Sequence, residues 1–161
     1  MEIEITHLFI SSGHRFAGRH GKGPADFSME AKETIDCVAG QGIVGDRYFG
    51  FKENYKGQLT FFSHEVYSRL CERFDERDKG PDVFRRNVLV SGIDLNDLIG
   101  KRFAIGDLSM EGVEEARPCY WMNSAFCEGA EAALMGCGGL RVRLLTDGAL
   151  SLGSHQLELE S

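Results

Sequence analysis

The residues best placed to do chemistry lie in Glu111-Gly-Val-Glu-Glu-Ala-Arg117-Pro118-Cys119-Tyr-Trp-Met-Asn123. A cysteine thiolate is both a nucleophile and a soft metal ligand. Arg117, two residues before Cys119, favours the charged form of the thiol. Pro118 fixes φ and removes a backbone donor, which stiffens the approach to the thiol. Residues after Cys119 can begin a helix, whose N-terminus also favours a thiolate. Two further segments converge on this one: the double-arginine run Phe84-Arg85-Arg86-Asn87-Val88, and Gly42-Ile-Val-Gly-Asp46-Arg47-Tyr48. Three glycines in six positions (Gly40, Gly42, Gly45) let backbone amides approach a partner closely. Each feature has a plainer reading. A lone cysteine is more often a small buried hydrophobe, and Asp46 can simply pair with Arg47 or cap a turn.

The elements that hold these residues read as short strands and glycine turns. Glu2-Ile-Glu-Ile alternates polar and apolar, and Glu33–Val38 and Gly57–Phe62 follow as strands. Ser63 is an N-cap for a helix whose buried stripe is Val66, Tyr67, Leu70, Cys71 and Phe74. Val88–Val90, Lys101–Ile105 and Leu108–Gly112 are further strands, the last two joined by the tight turn Gly106-Asp107. Glu128–Met135 is a second helix. Arg141–Thr146, Ala149–Leu152 and His155–Glu160 complete the strands, with Asp147-Gly148 the strongest hairpin signal. About eight short strands and two helices suit a mainly β chain forming a closed or partly closed β-barrel, since closure removes sticky edges.

Length and composition bound the rest. A chain of 161 residues fits one domain, taken here as 1–161. A net charge of -7 argues against nucleic-acid binding, which needs a positive surface, but leaves room for a local basic pocket. No apolar run approaches the ~20 residues that span a bilayer, and the acidic N-terminus is no signal peptide. Five cysteines without regular spacing point to reduced thiols and a cytoplasmic setting. Cys119, Cys127, Cys137 and His155 have the wrong spacing for a zinc site. The stretch 11–29 holds His14, Arg15, Arg19, His20 and Lys22 among glycines. It reads as a solvated loop or as a basic flap over an anionic ligand.

The ordered set Gly-Asp46-Arg47, Phe-Arg85-Arg-Asn87, Gly-x-Asp94-Leu-x-x-Leu-Ile-Gly100, Ile-Gly-Asp107, Arg-Pro-Cys119 and Gly139-Leu-Arg141…Asp-Gly148 resembles the MOSC domain, named for the C-terminal part of molybdenum cofactor sulfurase. The likeness covers roughly residues 32–160. It implies a β-barrel and a role with the molybdenum cofactor or with sulfur transfer. By the resemblance, Cys119 is the catalytic residue and metal ligand, carrying either molybdenum or a persulfide. Arg85 and Asn87 then lie near the pterin phosphate, with Arg117, Asp46 and Arg47 as further cofactor-binding candidates. Arginine offers phosphate a bidentate fork, and asparagine adds donors without charge. Pyridoxal phosphate is associated with the wider family, but the chain lacks a desulfurase domain and is not expected to bind it. Three functions follow. The first is an oxidoreductase with a Cys-ligated molybdenum centre, reducing for example N-hydroxylated compounds with an electron-transfer partner. The second is a persulfide carrier loaded by a cysteine desulfurase, and the third a non-catalytic cofactor-binding module.

Overall fold

The computed structural model describes residues 1–13 and 28–160. The cationic positions His14, Arg15, Arg19, His20 and Lys22 of the 11–29 loop lie outside the described residues. The elements in chain order are β1 (Glu2–Ile10), β2 (Glu30–Lys32), β3 (Thr34–Val38), β4 (Gly42–Ile43), β5 (Leu59–Ser63), α1 (His64–Arg73), β6 (Val88–Ser91), β7 (Arg102–Ile105), β8 (Leu108–Glu115), α2 (Trp121–Ala125), α3 (Ala130–Leu134), β9 (Leu140–Leu144), β10 (Gly148–Ser151) and β11 (Gly153–Leu159). Short 3-10 turns lie at Pro81–Phe84 and Leu95–Leu98.

The main sheet runs β11-β7-β8-β9-β5-β6-β1-β2, and β1 also pairs with β11. That second pairing closes a barrel and leaves β2 as an outer strand on β1. The chain is therefore a mainly β protein built on a closed barrel, as its strand pattern predicts. A second sheet, β10-β3-β4, stands beside it. Among the described residues only β5 and β6 pair in parallel. Parallel neighbours need a crossover, and α1 with the 81–84 turn supplies it. Ser63 caps α1 as expected, its Oγ accepting from Val66 N at 3.2 Å.

Side-chain parity divides the apolar residues into two bodies. Phe61 fills the barrel with Val88, Phe103, Met110 and Val142. Its neighbour Phe62 faces outward and packs with Val66, Leu70, Phe84, Met122 and Phe126 under the helices. Each such ring is worth ~1.5–3 kcal/mol on leaving water. β1 changes parity part-way: Ile3 and Ile5 point into the barrel, then Leu8 and Ile10 do. A register shift between Ile5 and His7 against β6 inserts the extra residue that makes this possible.

The structure corrects two local expectations. Asp147-Gly148 does not turn a hairpin, because both edges of β9 are already taken by β8 and β5. β10 instead pairs with β3, Gly148 opposite Cys37, and Asp147 Oδ1 accepts from Ala39 N at 2.8 Å. The short strands β2 and β4 and the five-residue helix α2 add to the expected count, each too short to show a hydrophobic period. Gly106-Asp107 does make the two-residue turn, with Ile105 opposite Leu108 and Gly106 at φ 61. Among the described residues no helix is long and apolar enough to cross a membrane.

Candidate functional site

Strand register brings the chemistry-bearing segments to one end of the barrel. Glu115, the last residue of β8, pairs with Leu140, the first of β9. Leu140 lies opposite Phe61 of β5, and Phe61 opposite Val88, the first residue of β6. The chain leaving β8 (Ala116-Arg117-Pro118-Cys119) and the chain entering β6 (Arg85-Arg86-Asn87) therefore meet at this end.

Cys119 is exposed, as are Arg117 and Tyr120, while Pro118 beneath them is buried. The Cys119 carbonyl accepts from Met122 N at 2.9 Å, so the turn into α2 fixes its backbone while the thiol faces solvent. The other cysteines differ. Burial, with Asp36 beside it, pushes the Cys37 thiol up to about 12. Burial also raises Cys127 and Cys137, and both pack with Cys71 against the helical cluster. Among the described residues no group of three or more His, Cys, Asp or Glu side chains is placed to hold a metal, which removes the Cys119–Cys127–Cys137–His155 zinc site.

Arg86 sits directly behind the thiol segment. Its Nη2 donates to Ala116 O at 2.9 Å, its Nε to Gly138 O at 3.0 Å and its Nη1 to Phe84 O at 3.3 Å. Burial, then the charge of Arg141, pushes the Arg86 guanidinium down to about 10, while Cys119 acts in the opposite direction. Arg47 and Tyr48 also act on Arg86, so Cys119, Arg86, Arg141, Arg47 and Tyr48 share one electrostatic neighbourhood. Arg141 donates to Tyr55 Oη at 3.2 Å and approaches Glu114 at 3.9 Å. Lys56 sits 2.7 Å from Glu114. That hydrogen bond, helped by the charges of Lys56, Arg141 and Arg117, holds the Glu114 carboxyl below its ordinary range. Tyr48, Phe51 and Tyr55 form an aromatic cluster, with ring centroids 5.0 to 5.7 Å apart. Phe51 is 60% exposed.

The sequence-derived candidates divide between this neighbourhood and its support. Asp46 is fully buried and internal, accepting from Ser11 N at 3.0 Å and Tyr48 N at 3.3 Å and pairing with Arg47 at 3.4 Å. Asn87 Oδ1 accepts from Thr60 N at 3.0 Å and Thr60 Oγ1 at 3.1 Å, and its Nδ2 donates to Phe9 O at 3.1 Å. Asn87 thus ties β1, β5 and β6 together. Arg47 lies between support and site. Its side chain is only 9% exposed, its Nη2 donates to Arg85 O at 3.3 Å, and its Nε is buried without a hydrogen-bond partner. Arg85 is buried in the left-handed region (φ 59, ψ 38), and its Nη2 donates to Gly13 O at 2.6 Å and Ser11 Oγ at 3.2 Å. It lines a cavity of about 400 Å³ with Met29, Lys79, Asp82, Trp121 and Ser124. Cys119 is not in that lining; it lies two residues before Trp121.

Sequence reasoning passed over Arg86 and Arg141 as site residues. Arg86 was visible in the double-arginine run, but the left-handed backbone at Arg85 breaks any strand parity there, and only the fold shows the two guanidinium groups apart, Arg85 on Ser11 and Gly13 and Arg86 on Ala116 and Gly138. Arg141 enters through its register with Glu114 across β8 and β9, which no local pattern encodes.

The sequence model of the MOSC domain family matches residues 39–154. The chain belongs to the MOSC domain family. Solved structures share the MOSC fold. YuaD from Bacillus subtilis superposes with a TM-score of 0.78 at 20% identity, over 100% of this chain and 97% of that one. YiiM from Geobacillus stearothermophilus gives 0.72 at 15% identity, over 99% and 75%. YiiM from Escherichia coli gives 0.65 at 20% identity, over 100% and 70%. No curated protein sequence matches the chain. The donor set of this MOSC domain fits a molybdenum cofactor: an exposed thiol as soft ligand, guanidinium groups for a phosphate, and an unsatisfied buried Arg47 Nε among them.

Proposed function

We propose that this protein is an oxidoreductase that binds the molybdenum cofactor through Cys119. The observation that carries the reading is the exposed thiol on the loop that Arg86 bonds at Ala116 O, close enough for Cys119, Arg141 and Arg47 all to act on the Arg86 charge. When bound, the cofactor supplies two-electron oxo-transfer chemistry. Cys119 would be the protein's thiolate ligand. Arg47 is the side chain proposed for its phosphate, with its buried Nε unpartnered, and Arg85 lines the neighbouring 400 Å³ cavity. Arg86, already bonded to three backbone carbonyls, acts through its charge and its hold on the loop.

The substrate face is aromatic. Tyr48, Phe51 and Tyr55 offer ring surface beside Arg141, which suits a planar N-hydroxylated compound. Its reduction takes two electrons and two protons, converts N–OH to N–H and releases water. A partner protein supplies the electrons. The test is anaerobic loading of apoprotein with molybdenum cofactor, followed by turnover of an N-hydroxylated heteroaromatic with reduced viologen as donor. Wild-type turnover that Cys119→Ala abolishes is expected. An inactive loaded wild type, or an equally active variant, overturns the reading.

The exposure of Cys119 and Tyr120 also favours a second reading, sulfur transfer between proteins through a Cys119 persulfide. Intact mass after incubation with a cysteine desulfurase and cysteine would then rise by one sulfur. Equal loading of Cys119→Ala contradicts it.

A further inference from the structure

We infer that Arg86 is the positioning residue for Cys119: its guanidinium clamps the thiol-bearing loop to the Gly138-Gly139 turn and so sets where the thiol stands. The inference rests on Cys119 being the reacting group.

The geometry is that of a fork with tines on two separate chain segments. Nη2 holds Ala116 O, three residues before the thiol, and Nε holds Gly138 O on the approach to β9. The third bond, to Phe84 O, folds the fork back on its own segment and fixes its direction. The clamped segments are in contact along their length. Ala116 N donates to Gly139 O at 2.9 Å, and Gly138 N donates to Glu115 Oε2 at 3.1 Å. The fit is close enough to require glycine. A Cβ on Gly138 would stand 2.4 Å from Ala116 O and 2.9 Å from Pro118 Cδ, and one on Gly139 would stand 2.3 Å from Phe61 O. Pro118 is thereby trapped between the turn and the body, and the next residue is Cys119. No other side chain in the described structure donates to both Ala116 and Gly138 carbonyls. Lysine carries the charge but not the planar two-pronged donor set, so the role belongs to arginine.

The experiment is residue-resolved amide hydrogen exchange on Arg86→Met and Arg86→Lys, with Trp121, the only tryptophan, as a second reporter two residues past the thiol. The account expects exchange at Ala116 and Gly138 to accelerate roughly tenfold or more in Arg86→Met, while amides of β7 and β11 keep their protection. Acrylamide quenching of Trp121 should increase. Arg86→Lys should fall between wild type and Arg86→Met, since a single ammonium nitrogen keeps the charge but cannot span the two carbonyls that the separate Nε and Nη2 of the fork reach. Wild-type exchange at Ala116 and Gly138 in a folded variant overturns the proposal. So does acceleration spread equally over the barrel, which would mark Arg86 as a general stabiliser. Should Arg86→Met not fold, Arg86→Lys alone decides by the same local-against-global comparison. No metal enters the measurement, so the clamp stands or falls separately from the molybdenum reading.

Discussion

Asn87 and Thr60 hold each other at both ends: Asn87 Oδ1 accepts from Thr60 N and Oγ1, while Asn87 N donates to Thr60 O at 3.0 Å. The pair locks β6 beside β5 where the two enter the barrel in parallel, one residue after Arg86. A site residue and a structural residue thus stand side by side in the same short motif. Replacing Asn87 by Ala leaves the Thr60 amide without its acceptor and Phe9 O without its side-chain donor. Unsatisfied buried groups cost ~1–3 kcal/mol each, so urea denaturation of Asn87→Ala should show a loss of at least that size. An unchanged midpoint would mean that Asn87 is held for ligand binding alone.

Gly138→Ala should disturb the thiol loop through sterics. The added methyl meets a backbone oxygen and the Pro118 ring, neither of which is the end of a flexible side chain. Overpacking of this kind costs ~1–3 kcal/mol. A fall in melting temperature is expected, with enhanced quenching of Trp121.

Cys119→Ala should leave stability within ~0.5 kcal/mol, because the residue is exposed and, among the described residues, its hydrogen bond is a backbone one. Thermal unfolding checks this. It also makes the variant a clean control, since any loss of function cannot then be assigned to unfolding.

The response to acid has a defined sign at His7. Burial, then the neighbouring His64, lowers its pKa below the ordinary 6.5, with Asp82 pulling the other way. The rings of His7 and His64 are stacked at 6.0 Å. As pH falls, the unfolded chain takes up this proton before the folded chain does. Stability should therefore decline as pH drops through the region of 6.5 toward the lower folded value, and level off below it. His7→Gln should flatten that part of the curve in denaturant titrations at stepped pH. A wild-type curve flat across this window contradicts the assignment.

Much of this molecule is legible before folding. Barrel closure follows from many short strands, and Arg117-Pro118-Cys119 stands out by residue type. The thiol's exposure agrees with its polar neighbourhood, and the burial of Cys37 with its alternating strand. What could not be read comes from register and from the direction of side chains. The bulge between Ile5 and His7 flips β1 without any glycine or proline to mark it. Arg141 joins the site through strand register, opposite Glu114 on β8 and Thr60 on β5. Asp147-Gly148 carries a hairpin composition, yet the strand it would fold back on is already paired on both edges. Arg86 and Asn87 are adjacent in one motif, and only the folded chain separates the clamp from the strand tie.

The central claim is that Cys119 holds a molybdenum cofactor, and metal content tests it most directly. Wild type and Cys119→Ala are purified anaerobically from cells that make the cofactor, and molybdenum and pterin are assayed on the same samples. The account predicts both in wild type, in equal amounts, and a large loss of both from the variant. Wild-type protein without molybdenum or pterin, or a variant that retains them in full, would contradict it.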